Sequence, residues 1–147
     1  MQDNGLQFIE LEKIKYPWVN KFYKQVYRKG MASKNEAVFI LKDKRIICAA
    51  KLTTLDGHLL LTGVACDPSL RGQGYASRLI ATLLLLQEQP VYCFPYPRLG
   101  HFYQQLGFQP VDSSDNIPAS ISSRFLLYRK KQDLLLMVYS AKSGNRS

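Results

Sequence analysis

The chain has 147 residues, 46% of them apolar and 21% charged, a balance that supports a packed core and excludes a disordered chain. It carries 20 Lys and Arg against 11 Asp and Glu, a net charge of +9 spread over both halves. That excludes a purely acidic or neutral surface and points to anionic ligands: nucleic acid, acidic lipid or a phosphorylated molecule. The longest mostly apolar run near the middle, Leu79 to Leu86, has eight residues, too few to cross a bilayer. The N-terminal stretch MQDNGLQFIELEK has acids where a signal peptide carries bases, so the expected location is the cytoplasm and no membrane partner is expected. Cys48, Cys66 and Cys93 are widely spaced, with no CxxC pair. They read as buried thiols in a reducing compartment, not as a disulfide or zinc framework, and no metal is expected.

Residues 6–13 (LQFIELEK) read as an edge strand. Pro17 opens a helix to about Arg28, with Trp18, Val19, Phe22, Tyr23, Val26 and Tyr27 on one apolar face and Gly30 as its stop. Residues 36–41 and 45–53 are rich in β-branched and apolar residues and form two strands around a Lys42-Asp43-Lys44 loop. Asp56-Gly57 marks a second hairpin turn, and the next strand covers 58–65. A helix follows from about Gly74 to Gln89, closed by Pro90, with Leu79, Ile80, Leu83, Leu84 and Leu86 within it. Residues 91–94 form a short buried strand, and 100–106 a helix ended by Gly107. Residues 109–117 are turn-rich. A helix over 119–131 has Ile121, Phe125 and Tyr128 on one face, and 134–139 is a last strand. The order implies an α/β fold, a mixed sheet with helices on its faces, and a parallel βαβ unit from 58–65 through the central helix to 91–94. There is no repeat and no internal linker. The expected organisation is one domain over 1–147, with 141–147 a flexible tail.

The chemistry-bearing motif is Val64 to Ser77, VACDPSLRGQGYAS. A strand ends, a loop with Gly72 and Gly74 follows, and a helix begins. Backbone N–H groups at a helix start lack intrahelical partners and, with the helix dipole, favour an anion. Glycines let that backbone come close and permit positive φ. Arg71 adds a fixed charge. A lone G-x-G more often allows only a sharp bend. The GK[ST] of a Walker loop is absent, and Ser77 stands where a Rossmann fingerprint needs its third glycine.

Arg71-Gly72-Gln73-Gly74-Tyr75-Ala76 resembles the R/Q-x-x-G-x-G/A signature of the GNAT family of N-acetyltransferases. Phe102 to Phe108 (FYQQLGF) is similar to that family's F-Y-x-x-x-G-F element. The residue-level resemblance covers about 58–111. It implies a GNAT-type acyl-CoA N-acyltransferase fold, with a mostly antiparallel sheet splayed between strands 58–66 and 91–94. It implies acetyl-CoA as co-substrate, with backbone of Val64, Ala65 and Cys66 along its pantetheine arm. Amides of Arg71, Gly72, Gln73, Gly74, Tyr75 and Ala76 would cradle the pyrophosphate, with help from Ser77. Tyr103 would sit near the thioester sulfur. The family often carries asparagine seven residues before that tyrosine; here the position is Tyr96.

Acetyl transfer needs a neutral amine, so a base must take a proton before attack on the thioester carbonyl. A backbone N–H of Cys66 would stabilise the developing oxyanion. Tyr103 is the candidate acid for the leaving thiolate. Its competing reading is a core tyrosine beside Phe102 and Phe108, and the glycine loop tips the choice toward the acid. The base is open. His58 begins the motif strand, where imidazole chemistry suits the task, but it also fits a surface histidine after the turn. Glu36 and His101 are further candidates. Cys66 reads as a small strand residue and not a nucleophile. Lys13 to Lys34 holds seven bases and no acid, interleaved with aromatics. Amphipathic periodicity accounts for those aromatics as core, so nucleic acid is not the expected partner. The expected partners are acetyl-CoA and an amine acceptor, a small molecule or an exposed amino group, handled by a monomer or homodimer. The alternative is a CoA-binding or nucleic-acid-binding module on the same scaffold without turnover.

Overall fold

The computed structural model describes residues 5–27, 31–112 and 115–141 and within them contains seven strands. These are β1 (Gln7–Glu10), β2 (Glu36–Lys42), β3 (Ile46–Leu55), β4 (His58–Cys66), β5 (Val91–Cys93), β6 (Phe108–Pro110) and β7 (Met137–Tyr139). The α-helices between them are α1 (Tyr16–Val26), α2 (Tyr75–Leu85), α3 (Gly100–Gln105) and α4 (Ala119–Arg129). The sheet order is β1-β2-β3-β4-β5-β7-β6. The pairings β1–β2, β2–β3, β5–β7 and β6–β7 are antiparallel, and β4–β5 is parallel. This is the mixed, mostly antiparallel α/β fold expected. The chain divides into two compact units, Met1–Thr53 with Thr62–Leu83, and Thr54–Leu61 with Leu84–Ser147.

In the first unit, β1 lies at the sheet edge against β2, from Gln7↔Lys42 to Glu10↔Phe39. β2 and β3 pair from Glu36↔Thr53 onward, with a register irregularity at Leu41 and Lys42 beside the hairpin loop. Helix α1 has Pro17 in its first turn, where no intrahelical N–H is lost. Tyr16, Val19, Phe22 and Tyr23 are buried at helical spacing and pack with Val38, Ile40, Ile46, Ala49 and Ala65. Each such side chain contributes about 1.5–3 kcal/mol on burial. The expected apolar face needs correcting at both margins. Trp18 is 38% exposed and Tyr27 42%. Trp18 lies about 100° round the helix from Val19, and Tyr27 has left helical geometry with φ of −123°. Gly30, the expected helix stop, lies outside the described residues.

Helix α2 buries Leu79, Ile80, Leu83 and Leu84 but ends at Leu85, four residues before the expected Gln89. Leu86, expected within the helix, is beyond it and exposed. The Gln87 N–H bonds back to the Leu84 carbonyl at 3.1 Å, a three-residue closure that tightens the end of the helix.

In the second unit, β5 runs parallel to β4 over Leu59↔Val91 to Leu61↔Cys93, and β4 continues five residues past that ladder to Cys66. β7 pairs with β5 and with β6. Leu60, Tyr92 and Ile121 are buried together, with Phe94, Ile117, Leu136 and Val138 packed on them. β6 corrects the turn-rich reading of 109–117 at its start: Phe108 to Pro110 form a strand opposite Tyr139 to Met137. β7 starts three residues later than expected. Before it, the Leu135 N–H is committed to the Pro95 carbonyl and the Leu136 carbonyl to the Val111 N–H. On α4, Ile121 is fully buried, but Tyr128 is 39% exposed and meets Phe94 only edge to face. Among the described residues no helix is long and apolar enough to cross a membrane.

Candidate functional site

The glycine loop joins β4 to α2 within the first unit. Asp67 organises its start. Its carboxylate accepts the Ser69 N–H at 2.9 Å and the Ser69 hydroxyl at 2.8 Å, and it pairs with Arg45. The Ser69 N–H, then the Arg45 and Ser69 side chains, hold its pKa below the usual carboxylate range. A single 3-10 turn, Pro68–Leu70, follows. Arg71 Nε donates to the Cys66 carbonyl at 3.3 Å, tying the loop back to the strand end. Gly72 and Gly74 take φ of +81° and +85°, which L-residues adopt only with strain. A Cβ built at either meets nothing within 4 Å. The glycines therefore answer to backbone conformation and leave open space above the loop. The first helical hydrogen bond runs from Arg78 N–H to Gly74 carbonyl at 3.0 Å, so the amides of Tyr75, Ala76 and Ser77 precede the helical ladder. Open space, successive amides and the helix dipole together suit a pyrophosphate.

Behind β4 lies a buried polar group that the sequence alone did not flag. Lys51 is 5% exposed in the middle of β3. Its ammonium reaches Glu36 Oε1 at 3.3 Å and the Met31 carbonyl at 3.2 Å, and lies 5.8 Å from the centre of the Tyr23 ring. Glu36 also accepts from the Ser33 N–H at 3.0 Å and the Thr53 hydroxyl at 2.8 Å. Burial alone would raise its pKa; these donors and the Lys51 charge outweigh it and lower the pKa. A carboxylate so engaged is a poor proton acceptor near neutrality, which argues against Glu36 as the base. Fully buried Tyr23 donates its hydroxyl to the Gly63 carbonyl at 2.7 Å. The available signal was one lysine inside the apolar run RIICAAKLT.

Of the strand residues assigned to the pantetheine arm, Ala65 is buried and Val64 and Cys66 are half-buried. Cys66 Sγ lies 3.2 Å from Cys48 Sγ, and both are free thiols.

The remaining candidates belong to the second unit. Tyr103 sits on α3, 7% exposed, with edge contacts to Phe102 at 5.0 Å and Phe108 at 5.5 Å between ring centres. Gly107, at φ +105°, ends this element; a Cβ there would stand 3.1 Å from the Tyr139 ring. His58 is half-buried at the start of β4, directly after the Asp56-Gly57 turn. His101 is exposed. Tyr96 donates to Gln132 Oε1 at 3.1 Å and carries the Arg98 guanidinium 5.0 Å over its ring. Asp112 and Asp115 are exposed, and the Asp112 N–H donates to the Asp115 carboxylate at 2.7 Å.

The family model described as an acetyltransferase (GNAT) domain matches residues 34–110, just over half of the chain. The chain belongs to the GNAT acetyltransferase family. The fold is shared with a GNAT-family acetyltransferase from Staphylococcus aureus Mu50: TM-score 0.65 and 14% identity over 93% of this chain and 99% of that one. N-acetylglutamate synthase from Neisseria gonorrhoeae, complexed with coenzyme A and N-acetyl-glutamate, matches with TM-score 0.67 and 16% identity over 95% of this chain and 36% of its own. The ribosomal-protein-S18-alanine N-acetyltransferase from Escherichia coli matches with TM-score 0.66 and 14% identity over 92% and 94%. No curated protein matches the sequence.

Proposed function

We propose that this protein is an acetyl-CoA-dependent N-acetyltransferase acting on a primary amine of a small molecule or an exposed amino group. The observation that carries the reading is the Arg71–Ala76 loop: two left-handed glycines, open space above them and the start of an eleven-residue helix. It supports a pyrophosphate site, and membership of the GNAT family supports coenzyme A as its source. Amides of Arg71, Gly72, Gln73, Gly74, Tyr75 and Ala76, with Ser77, would bind the pyrophosphate, and Val64, Ala65 and Cys66 the pantetheine arm.

In this reading acetyl-CoA supplies an activated thioester. The Cys66 N–H would stabilise negative charge on the carbonyl oxygen as the amine attacks. Tyr103 would return a proton to the departing thiolate, since a phenol donates without ionising at neutral pH. His58 would take the amine proton. Burial of Tyr103 against Phe102 and Phe108 also serves packing, and kinetics separates the two roles. Titration calorimetry with coenzyme A tests the site. A thiol-release assay over a panel of amines tests the reaction. No heat at millimolar coenzyme A with folded protein would overturn the proposal.

A further inference from the structure

We propose that Tyr23 and Lys51 are positioning residues that hold one extra residue in β4 at Gly63, and so set the aim of Val64–Cys66. This rests on reading Val64–Cys66 as the strand along the pantetheine arm. Asp56 and Gly57 both have positive φ, 51° and 82°. That two-residue turn sets Leu55 opposite His58. Carried along the strands, its register would bring Ile47 opposite Cys66. Yet the Asp67 N–H donates to the Ile47 carbonyl at 2.8 Å, and the sulfurs of Cys48 and Cys66 meet at 3.2 Å. β4 has therefore gained one residue on β3. Gly63, at φ +60°, has the left-handed backbone that such a bulge uses. Lys51 stands opposite Thr62 by the first register and opposite Gly63 by the second.

A one-residue shift in register exchanges the two faces of a strand. The bulge thus decides which groups of Val64, Ala65 and Cys66 face which way. Two side chains hold it. The Tyr23 hydroxyl takes up the Gly63 carbonyl at 2.7 Å; a phenylalanine would pack as well but leave that carbonyl without this donor. The Lys51 stem fills the space beside Gly63: a Cβ there would stand 2.6 Å from Lys51 Cε. The ion pair with Glu36 and the bond to the Met31 carbonyl pin the lysine head.

The test compares coenzyme A with 3′-phospho-ADP, which keeps the phosphates but lacks the pantetheine arm. Both are titrated calorimetrically into wild-type protein and Tyr23→Phe, with circular dichroism to confirm folding. Tyr23→Phe is expected to weaken coenzyme A about tenfold, as loss of one buried hydrogen bond implies, while 3′-phospho-ADP binds both proteins alike. Lys51→Met, which keeps an unbranched stem, serves as second variant and is expected to show the same selective loss. Equal loss of both ligands, or loss of neither, overturns the positioning role while leaving the Arg71–Ala76 site intact. Failure of wild-type protein to bind coenzyme A overturns the site reading beneath it.

Discussion

Lys51 and Glu36 form an ion pair with Nζ and Oε1 3.3 Å apart, their side chains 6% and 12% exposed. Removing one member leaves the other charged with poor access to water. Glu36 keeps Ser33 and Thr53 as donors, which softens the loss. Lys51→Met is therefore expected to cost about 3 kcal/mol, at the lower end for a broken buried pair. Urea denaturation monitored by circular dichroism measures it. A loss below about 1 kcal/mol would place the pair with exposed surface bridges.

The same pair gives stability a pH dependence. The folded protein lowers the pKa of Glu36 from the ordinary glutamate value of about 4.3. A depressed carboxylate contributes stability that is complete above the unfolded pKa and fades as pH falls through the folded one. Stability should thus be flat in this contribution above about pH 5 and decline below about pH 4. Glu36→Gln should reduce the acid slope. An unchanged slope between pH 5 and pH 3 would show that Glu36 does not carry it.

Gly74 separates binding from folding. Its φ of +85° disfavours any side chain, yet a Cβ there clashes with nothing. Gly74→Val should cost about 1–2 kcal/mol of backbone strain and place its branches in the open space assigned to the pyrophosphate. Coenzyme A binding should vanish while the thermal transition persists a few degrees lower. Wild-type affinity in this variant would remove the loop from the site.

Much of the fold is legible in the sequence where local signals are strong. Asp56-Gly57 fixes a hairpin, and Val38 to Leu41 and Ile46 to Ala50 form short apolar runs with β-branched residues on either side of a polar loop, which is the pattern of buried strands. β6 is different. Gln109 and Pro110 read as turn residues, and their strand identity comes from pairing with Met137 and Val138. Trp18 counts as apolar in any periodicity, but its place on the helix circumference puts it at the margin of the core. The glycine loop is legible because glycine marks left-handed backbone directly. The Lys51 group is not, because its partners Tyr23, Glu36 and Gly63 meet only after three strands and a helix assemble.

Burial raises the pKa of the Cys48 and Cys93 thiols, and the neighbouring Cys66 sulfur adds to the rise at Cys48. The thiolate is the reactive form, so both should resist alkylation. Iodoacetamide at pH 8 should leave them unmodified in folded protein and label them fully in urea, as read by peptide mass spectrometry. Fast labelling of Cys93 in the native state would show that the second unit opens locally far more often than its packing implies.

Tyr103 is the sharpest test of the chemistry. A leaving-group acid acts mainly in the transition state, so its loss should lower kcat and kcat/KM together and leave ground-state binding alone. Tyr103→Phe keeps the ring and its edge contacts with Phe102 and Phe108. Packing should survive, and the thermal transition should move little. With an accepted amine, turnover should fall about a hundredfold, the lower range for general acid catalysis, while coenzyme A titrates as in the wild type. A core tyrosine gives the opposite pattern: turnover per folded molecule stays the same, and any defect appears as lost stability. Stopped-flow thiol release, run beside calorimetry on the same preparations, separates the two.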